Sequence, residues 1–173
     1  MNYADIKRVD VANGPGVRVS LFVSGCTHHC PECFNPATWD FSFGAPFGPE
    51  QIEEILGYLR PSHIRGLSLL GGEPFEPENQ QAVLELVERV RKELPEKDIW
   101  CYSGYLFEAL SQGKVGSHSK ALLAQLDVLV DGPFVIAKKN LGLRFRGSEN
   151  QRIIRVKESL QQGNIVLWDD NQS

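Results

Sequence analysis

Three cysteines stand close together in the chain and are the residues best suited to chemistry. Cys26, Cys30 and Cys33 follow the spacing C-x3-C-x2-C. This spacing folds three thiolates around one centre, and the thiolate is the form of cysteine that binds metals. A 4Fe-4S cluster is normally held by four cysteines, so three ligands leave one iron open to another molecule. The loop therefore predicts a 4Fe-4S cluster with one open iron.

A structural zinc site is the alternative interpretation of the same loop. Zinc accepts mixed cysteine and histidine ligands, so His28, His29 or Cys101 could complete its coordination. Structural zinc sites are usually built from two separated ligand pairs, which favours the cluster over zinc here. Cys101 lies in an apolar segment, where a small buried thiol is the commonest explanation, and we do not count it among the predicted ligands.

The composition is that of an ordinary globular chain. Its 173 residues suit a single core, so we expect one domain over residues 1–173. The formal net charge is −4 and the pI about 5.6, which gives no support for binding nucleic acid or an anionic membrane. We see no signal-peptide pattern and no run of about 18 apolar residues. We expect a cytoplasmic protein, where clustered cysteines indicate metal rather than disulfides.

The segments that must position the cysteine loop alternate between strand and helix patterns. Residues 17–23 (VRVSLFV) are rich in β-branched side chains and predict a buried strand that ends at the loop. Apolar residues at three- and four-residue spacing predict helices over 49–60 and 83–94. Shorter helical pieces are predicted over 106–112 and 119–126. The other predicted strands are 66–70, 98–102, 127–131, 152–156 and 164–168.

Six strands, the first four separated by helices or a long loop, favour an α/β fold with a mainly parallel sheet. Such sheets place their chemistry at the carboxyl ends of the strands. The cysteines follow the first predicted strand, and Gly71-Gly72-Glu73-Pro74 follow the second. Ser103 ends the third strand and Asp131 the fourth. We therefore expect four loops on one rim to form one composite site.

The two loops resemble those of the radical S-adenosylmethionine enzymes. That superfamily shares C-x3-C-x2-C after the first strand and a GGEP-like loop after the second, and both occur here in this order. Within it, the chain is similar to the activating enzymes of anaerobic ribonucleotide reductase over nearly its whole length. The matching segments are 13–18 (NGPGVR), 33–35 (CFN), 38–39 (TW), 127–132 (DVLVDG) and 146–152 (RGSENQR).

The resemblance implies a partial (β/α)6-type barrel with short late helices. It implies an oxidoreductase that binds S-adenosylmethionine at the open iron and cleaves it reductively to a 5′-deoxyadenosyl radical. That radical would generate a glycyl radical on the large subunit of anaerobic ribonucleoside-triphosphate reductase, with the electron supplied by a low-potential donor such as flavodoxin. Two alternatives stay open: an activating enzyme of another glycyl radical protein, such as pyruvate formate-lyase, and a zinc-binding module without catalysis.

The resemblance also implies which residues bind S-adenosylmethionine beside the cluster. Gly71 and Gly72 would let the backbone approach the methionine closely, and Glu73 would accept a hydrogen bond from its ammonium group. Backbone groups at Glu32 and Phe34 would contact the adenine, although position 32 is commonly aromatic in the superfamily. For the GGEP loop an ordinary strand-to-helix turn is the alternative.

Two further strand ends are expected to contribute to the ligand site. Ser103 and Asp131 would hydrogen-bond ribose hydroxyls or the methionyl carboxylate, directly or through water, and a turn-forming role is equally open for each. For Arg18 and for the arginines of 146–152 the resemblance implies structural support or docking of the partner.

Overall fold

The computed structural model describes residues 1–169. Its strands are β1 (Asn2–Asp10), β2 (Val17–Val23), β3 (Ala45–Pro46), β4 (Ile64–Gly71), β5 (Asp98–Ser103), β6 (Val128–Asp131) and β7 (Arg152–Arg155). Its helices are α1 (Pro49–Leu59), α2 (Pro77–Glu93), α3 (Phe107–Ser111), α4 (Ser119–Ala124) and α5 (Val156–Gln162), with 3-10 turns at Pro36–Trp39 and Ile136–Lys138. No helix in this part of the chain is long and apolar enough to cross a membrane.

The described strands form one mixed sheet in the order β3-β1-β2-β4-β5-β6-β7. The central strands β2, β4, β5 and β6 pair in parallel, as predicted. At the edges, β1 and β3 run antiparallel on one side and β7 on the other. Because these four strands are parallel, their carboxyl ends lie on the same side of the sheet, and the predicted site residues lie in the loops that follow them.

One face of the sheet packs against the helices and forms the main core. Alternate residues of the central strands, such as Leu21, Leu69 and Leu129, are fully buried there. Cys101 belongs to this core and is 0% exposed, and its burial raises the pKa of its thiol well above the usual value. The thiol is therefore a core side chain, which agrees with its exclusion from the predicted metal ligands.

The opposite face of the sheet holds a buried arginine. Arg18 donates to Ser68 Oγ at 2.7 Å and to the Leu67 carbonyl at 3.0 Å, and it pairs with Asp98 at 2.6 Å. Its guanidinium also lies 5.7 Å from the centroid of the Trp100 ring. A buried charge is tolerated only with such a full set of partners. Arg18 was expected either to stabilise the fold or to dock the partner, and these contacts favour the structural role.

The edges of the sheet differ from the sequence prediction. β1 and β3 were not predicted as strands. β3 has only two residues, and β1 has a single buried residue and carries charged residues on both faces. Residues 156–162 form helix α5, which has only two buried residues and so little apolar periodicity. The predicted strand at 164–168 is wrong, since it reduces to one isolated bridge between Ile154 and Leu167. Segments at the edge of the sheet bury few side chains, so the hydrophobic pattern of their sequence gives little indication of their secondary structure.

Candidate metal and ligand site

A cavity of about 710 Å³ opens at the carboxyl ends of the parallel strands. Pockets of this size hold small-molecule ligands and cofactors. The cavity is lined by eight of the ten predicted site residues, which are Cys26, Cys30, Cys33, Phe34, Gly71, Gly72, Glu73 and Ser103. Glu32 and Asp131 do not line it. Loops that are far apart in sequence thus meet at one site, as the parallel arrangement predicts.

The cysteine loop is held in place by backbone hydrogen bonds to the segment that follows it. Gly25 N–H donates to the Thr38 carbonyl at 2.7 Å, and Cys26 N–H donates to the Trp39 carbonyl at 3.2 Å. Within the loop, His29 and Glu32 have positive φ angles of 47° and 56°. The left-handed region is uncommon for residues with a side chain, and it marks tight turns between successive cysteines. Glu32 itself is exposed.

The three loop thiols are donors of the kind that an iron-sulfur cluster requires. All three are free and partly exposed, and they line the same cavity. Among residues 1–169, no three histidine, cysteine or acidic side chains converge as ligands of one metal ion. Thiolates that hold a 4Fe-4S cluster each bind a different iron, so they need not converge on one point. The donor set therefore suits an iron-sulfur cluster.

Cys26 must lose a proton before it binds metal. Burial is the main cause that raises the pKa of its thiol to about 11, and the nearby carboxylate of Glu73 contributes to this rise. Hydrogen bonds from the backbone at His28 and His29 oppose this rise. Since metal ligation requires the thiolate, binding of a cluster by Cys26 at neutral pH would release a proton from this residue.

Glu73 is buried at the centre of the site, with both carboxylate oxygens already hydrogen-bonded. Oε1 accepts from Gly104 N–H at 2.7 Å and contacts His28 Nε2 at 2.8 Å. Oε2 accepts from Phe75 N–H and from Ser103 Oγ, both at 2.9 Å. A carboxylate has about four acceptor positions, so a ligand ammonium must replace one of these donors. The carboxylate ties three of the predicted loops together.

His28 is a site residue that the sequence left unassigned. Its ring packs edge-on against Tyr105, with the centroids 4.5 Å apart, and lies close against the backbone of Gly104. The hydrogen bond to Glu73 raises the pKa of His28, which makes the ring more readily charged. A pair of histidines in a loop carries no signal for such a contact, because the contact depends on a strand that ends about 75 residues later.

Close packing of backbone segments explains why positions 71 and 72 of the GGEP loop are glycines. A Cβ at Gly72 would lie 2.6 Å from the Gly25 carbonyl oxygen and 2.8 Å from the Thr38 carbonyl oxygen. A Cβ at Gly71 would lie 2.7 Å from the backbone of Val23, and the φ of Gly71 is 109°. These distances are too short for a real side chain. The glycines are therefore required to seat the cysteine loop, a reason that the sequence did not reveal.

We expect Gly72→Ala to disturb the cysteine loop. The added methyl group must displace the backbone near Gly25, so the variant should lose most of its bound iron and about 1–3 kcal/mol of unfolding free energy. Gly57→Ala is the matched control, because a Cβ there meets nothing within 4 Å and alanine favours helix α1 by up to about 1 kcal/mol. Iron assays and thermal unfolding measure both variants. An iron-replete, fully stable Gly72→Ala protein with weakened ligand binding would instead restore the ligand-approach explanation.

Asp131 is buried away from the cavity lining. Its carboxylate accepts from Phe107 N–H at 2.8 Å and from Arg152 at 3.0 Å and 2.5 Å. Arg152 also pairs with Glu108 at 2.6 Å. These contacts join β6, β7 and α3. A contact of Asp131 with a ligand stays a prediction, and the structure gives this carboxylate other partners.

The segment 146–152 is folded upon itself. Gln151 Oε1 accepts from Gly147 N–H at 2.8 Å and from Ser148 N–H at 3.1 Å, and Arg146 donates to the Gln151 carbonyl at 2.6 Å. Asn150 Nδ2 donates to the Pro133 carbonyl at 2.8 Å. These polar groups brace the segment 132–148, which covers one side of the cavity. Their contacts favour a structural role over partner docking.

Comparisons with known proteins agree with the prediction of a 4Fe-4S cluster. Residues 12–154 match the family model described as a 4Fe-4S single cluster domain. The anaerobic ribonucleoside-triphosphate reductase-activating protein of Vibrio cholerae is 46% identical over 157 residues, which cover 90% of this chain and 98% of that one.

Two relatives from other sources carry the same name. The protein of Escherichia coli is 42% identical over 159 residues, covering 91% of this chain and all of that one. The protein of bacteriophage T4 is 41% identical over 155 residues, covering 88% and 93%. These matches confirm the predicted similarity to the activating enzymes of anaerobic ribonucleotide reductase, and each covers 88% or more of this chain. The chain therefore belongs to the family of anaerobic ribonucleoside-triphosphate reductase-activating proteins and carries a 4Fe-4S single cluster domain.

Proposed function

We propose that this protein is a radical S-adenosylmethionine enzyme that generates a glycyl radical on the large subunit of anaerobic ribonucleoside-triphosphate reductase. The observation that carries the proposal is one cavity lined both by three free cysteines and by the GGEP loop. The name shared by the relatives supplies the partner. A low-potential protein such as flavodoxin is the proposed electron donor.

Three thiols leave one iron of a 4Fe-4S cluster without a protein ligand, and S-adenosylmethionine is proposed to bind there. When bound, the cluster would supply the one electron that reductive cleavage of the sulfonium needs; the products would be methionine and a 5′-deoxyadenosyl radical, which would take a hydrogen atom from the partner. Cys26, Cys30 and Cys33 would hold the cluster. Gly71, Gly72, Glu73 and Ser103 would surround the methionine, and Phe34 and the backbone at Glu32 would face the adenine.

The walls of the cavity suit a reaction that must exclude water. Its inner lining includes Phe22, Leu70, Val130 and Phe145 on the face of the sheet opposite the helices. An apolar lining limits side reactions of a reactive species with solvent. We include the partial (β/α)6-type barrel in the same proposal. Residues of the four parallel strands and of the segment 132–148 line the cavity from different sides.

The proposal is tested by purifying the protein without oxygen. We expect a brown protein with iron and sulfide in equal amounts, whose broad visible absorption is bleached by dithionite. With S-adenosylmethionine and dithionite it should form 5′-deoxyadenosine and methionine in equal amounts. Colourless protein with one zinc per chain and no cleavage product would instead support the zinc-binding module.

A further inference from the structure

Glu76 is a buried carboxylate that contacts the cysteine loop and has no place in the site described so far. It stands at the amino end of helix α2 and is 4% exposed. Its Oε1 accepts hydrogen bonds from Thr27 Oγ1 at 2.7 Å, from Thr27 N–H at 3.2 Å and from the Tyr105 hydroxyl at 3.2 Å. Glu76 does not line the cavity. Its side chain therefore serves the cysteine loop rather than the ligand space.

The surroundings of Glu76 suit a carboxylate that carries its charge. Burial of a charge requires hydrogen-bond donors, and this side chain accepts from three. The amino end of a helix favours negative charge, and α2 is 17 residues long. In the described part of the chain Glu76 forms no ion pair with an arginine or a lysine. Its charge is thus stabilised by neutral donors and is not cancelled by a cation.

Thr27 connects this charge to the predicted cluster ligands. Thr27 directly follows Cys26, so its N–H belongs to the peptide group that joins the two residues. At the effective dielectric constant of about 20 that suits protein sites, a unit charge within about 10 Å of a redox centre changes its reduction equilibrium by roughly tenfold or more. A negative charge opposes the uptake of an electron and so lowers the reduction potential. Contact with the peptide group of a ligand brings Glu76 close enough for this effect.

We propose that Glu76 lowers the reduction potential of the 4Fe-4S cluster and, through Thr27, positions the turn that follows Cys26. The inference rests on the proposed function, because that function assigns a cluster to these thiols, and it adds a residue that sets how strongly reducing the cluster is. One-electron cleavage of a sulfonium needs a strongly reducing donor. A buried negative charge beside the cluster favours transfer of the electron onward to the ligand.

Glu76→Gln tests the charge while keeping an oxygen that can accept from Thr27. The protein is purified and reconstituted without oxygen, and its midpoint potential is measured by titration with dithionite, followed by electron paramagnetic resonance of the reduced cluster. We expect reduction to become about tenfold more favourable, which for one electron is a rise of about 59 mV. Iron content and circular dichroism should match those of wild type, because the contact with Thr27 remains.

Asp10→Asn is the matched control. Asp10 is also buried, at 7% exposed, and its carboxylate accepts hydrogen bonds from three neutral donors. It pairs with Arg18 near the amino end of β2, whereas Cys26 follows the carboxyl end of that strand. The control removes the same charge at a greater distance from the cluster, so its reduction equilibrium should change by no more than about threefold.

Tyr105→Phe tests the same charge in the opposite direction. The change removes one donor to Glu76, and phenylalanine keeps the edge-on ring contact with His28. The carboxylate is then less neutralised, so the midpoint potential should fall below that of wild type. A rise as large as that of Glu76→Gln would show that hydrogen bonding rather than charge sets the potential, and would overturn the inference. If Glu76→Gln does not retain a cluster, an unchanged or higher potential in Tyr105→Phe overturns it.

The outcomes separate this inference from the proposed function. An unchanged potential in iron-replete Glu76→Gln, with cleavage intact in the wild-type protein, would overturn the role of Glu76 alone. An equal rise in Asp10→Asn would also overturn it, because the effect would not depend on position. The dissociation constant for S-adenosylmethionine should stay within about twofold of wild type in Glu76→Gln, since Glu76 does not line the cavity. Absence of a cluster or of cleavage in the wild-type protein would overturn the proposed function.

Discussion

Replacing Cys26, Cys30 or Cys33 with alanine is expected to remove most of the bound iron and to abolish S-adenosylmethionine cleavage. The physical reason is that thiolate binds the cluster and only three loop thiols line the cavity. Alanine keeps the backbone conformation of the loop, so the loss comes from the ligand rather than from the fold. Iron analysis, the visible spectrum and the yield of 5′-deoxyadenosine measure the effect in protein that is purified and reconstituted without oxygen.

Cys101→Ala is the matched control for this series. Cys101 is fully buried among the core side chains between the sheet and the helices. Its replacement leaves a small void and should lower stability modestly while iron content and cleavage remain. Loss of the cluster in Cys101→Ala, together with its retention in any one of the loop variants, would show that the ligand assignment is wrong.

A glycyl radical on the reductase is the second large effect that we expect. With a reductant, S-adenosylmethionine and the anaerobic reductase large subunit, the protein should convert a partner without signal into one with an organic radical. Electron paramagnetic resonance should show a doublet that arises from the remaining α-hydrogen of glycine. Deuteration of glycine at the α-carbon should collapse that doublet, because the coupled hydrogen has been replaced.

Partner selectivity decides between the proposed function and its nearest alternative. Pyruvate formate-lyase under the same conditions should give little or no radical signal. Strong activation of pyruvate formate-lyase and none of the reductase would overturn the assignment of the partner while leaving cleavage of S-adenosylmethionine in place.

The components of the site could be predicted from sequence because each is local. The spacing of Cys26, Cys30 and Cys33 is set within one loop, and Gly71-Gly72-Glu73-Pro74 lies where a predicted strand ends. The rule that parallel strands present their carboxyl ends together was enough to expect a shared rim. The structure confirms that the cysteine loop, the GGEP loop and Ser103 meet at one cavity.

The edges of the fold and the detailed contacts of the site were decided by tertiary structure. Glu73 has four hydrogen-bond contacts because three separate segments converge on it, and no local pattern indicates His28 as one of them. Asp131 was expected to face the ligand, yet Arg152 on the antiparallel edge strand β7 binds its carboxylate. Such partners depend on strand order, which a single sequence specifies only weakly.

The glycines of the GGEP loop show the difference between what the sequence determines and what only the tertiary structure decides. By itself, the sequence predicted the three cysteine ligands, a GGEP turn after a strand and an α/β fold, since these predictions follow from residue type and short-range spacing. Only the tertiary structure decided that Gly72 must lack a side chain because the backbone of Gly25 lies against it, 47 residues earlier in the chain. Only the tertiary structure likewise places Phe34 beside Phe134 and so brings the cysteine loop against the segment 132–148. Contacts of this kind come from the packing of distant segments, which spacing along the chain does not encode.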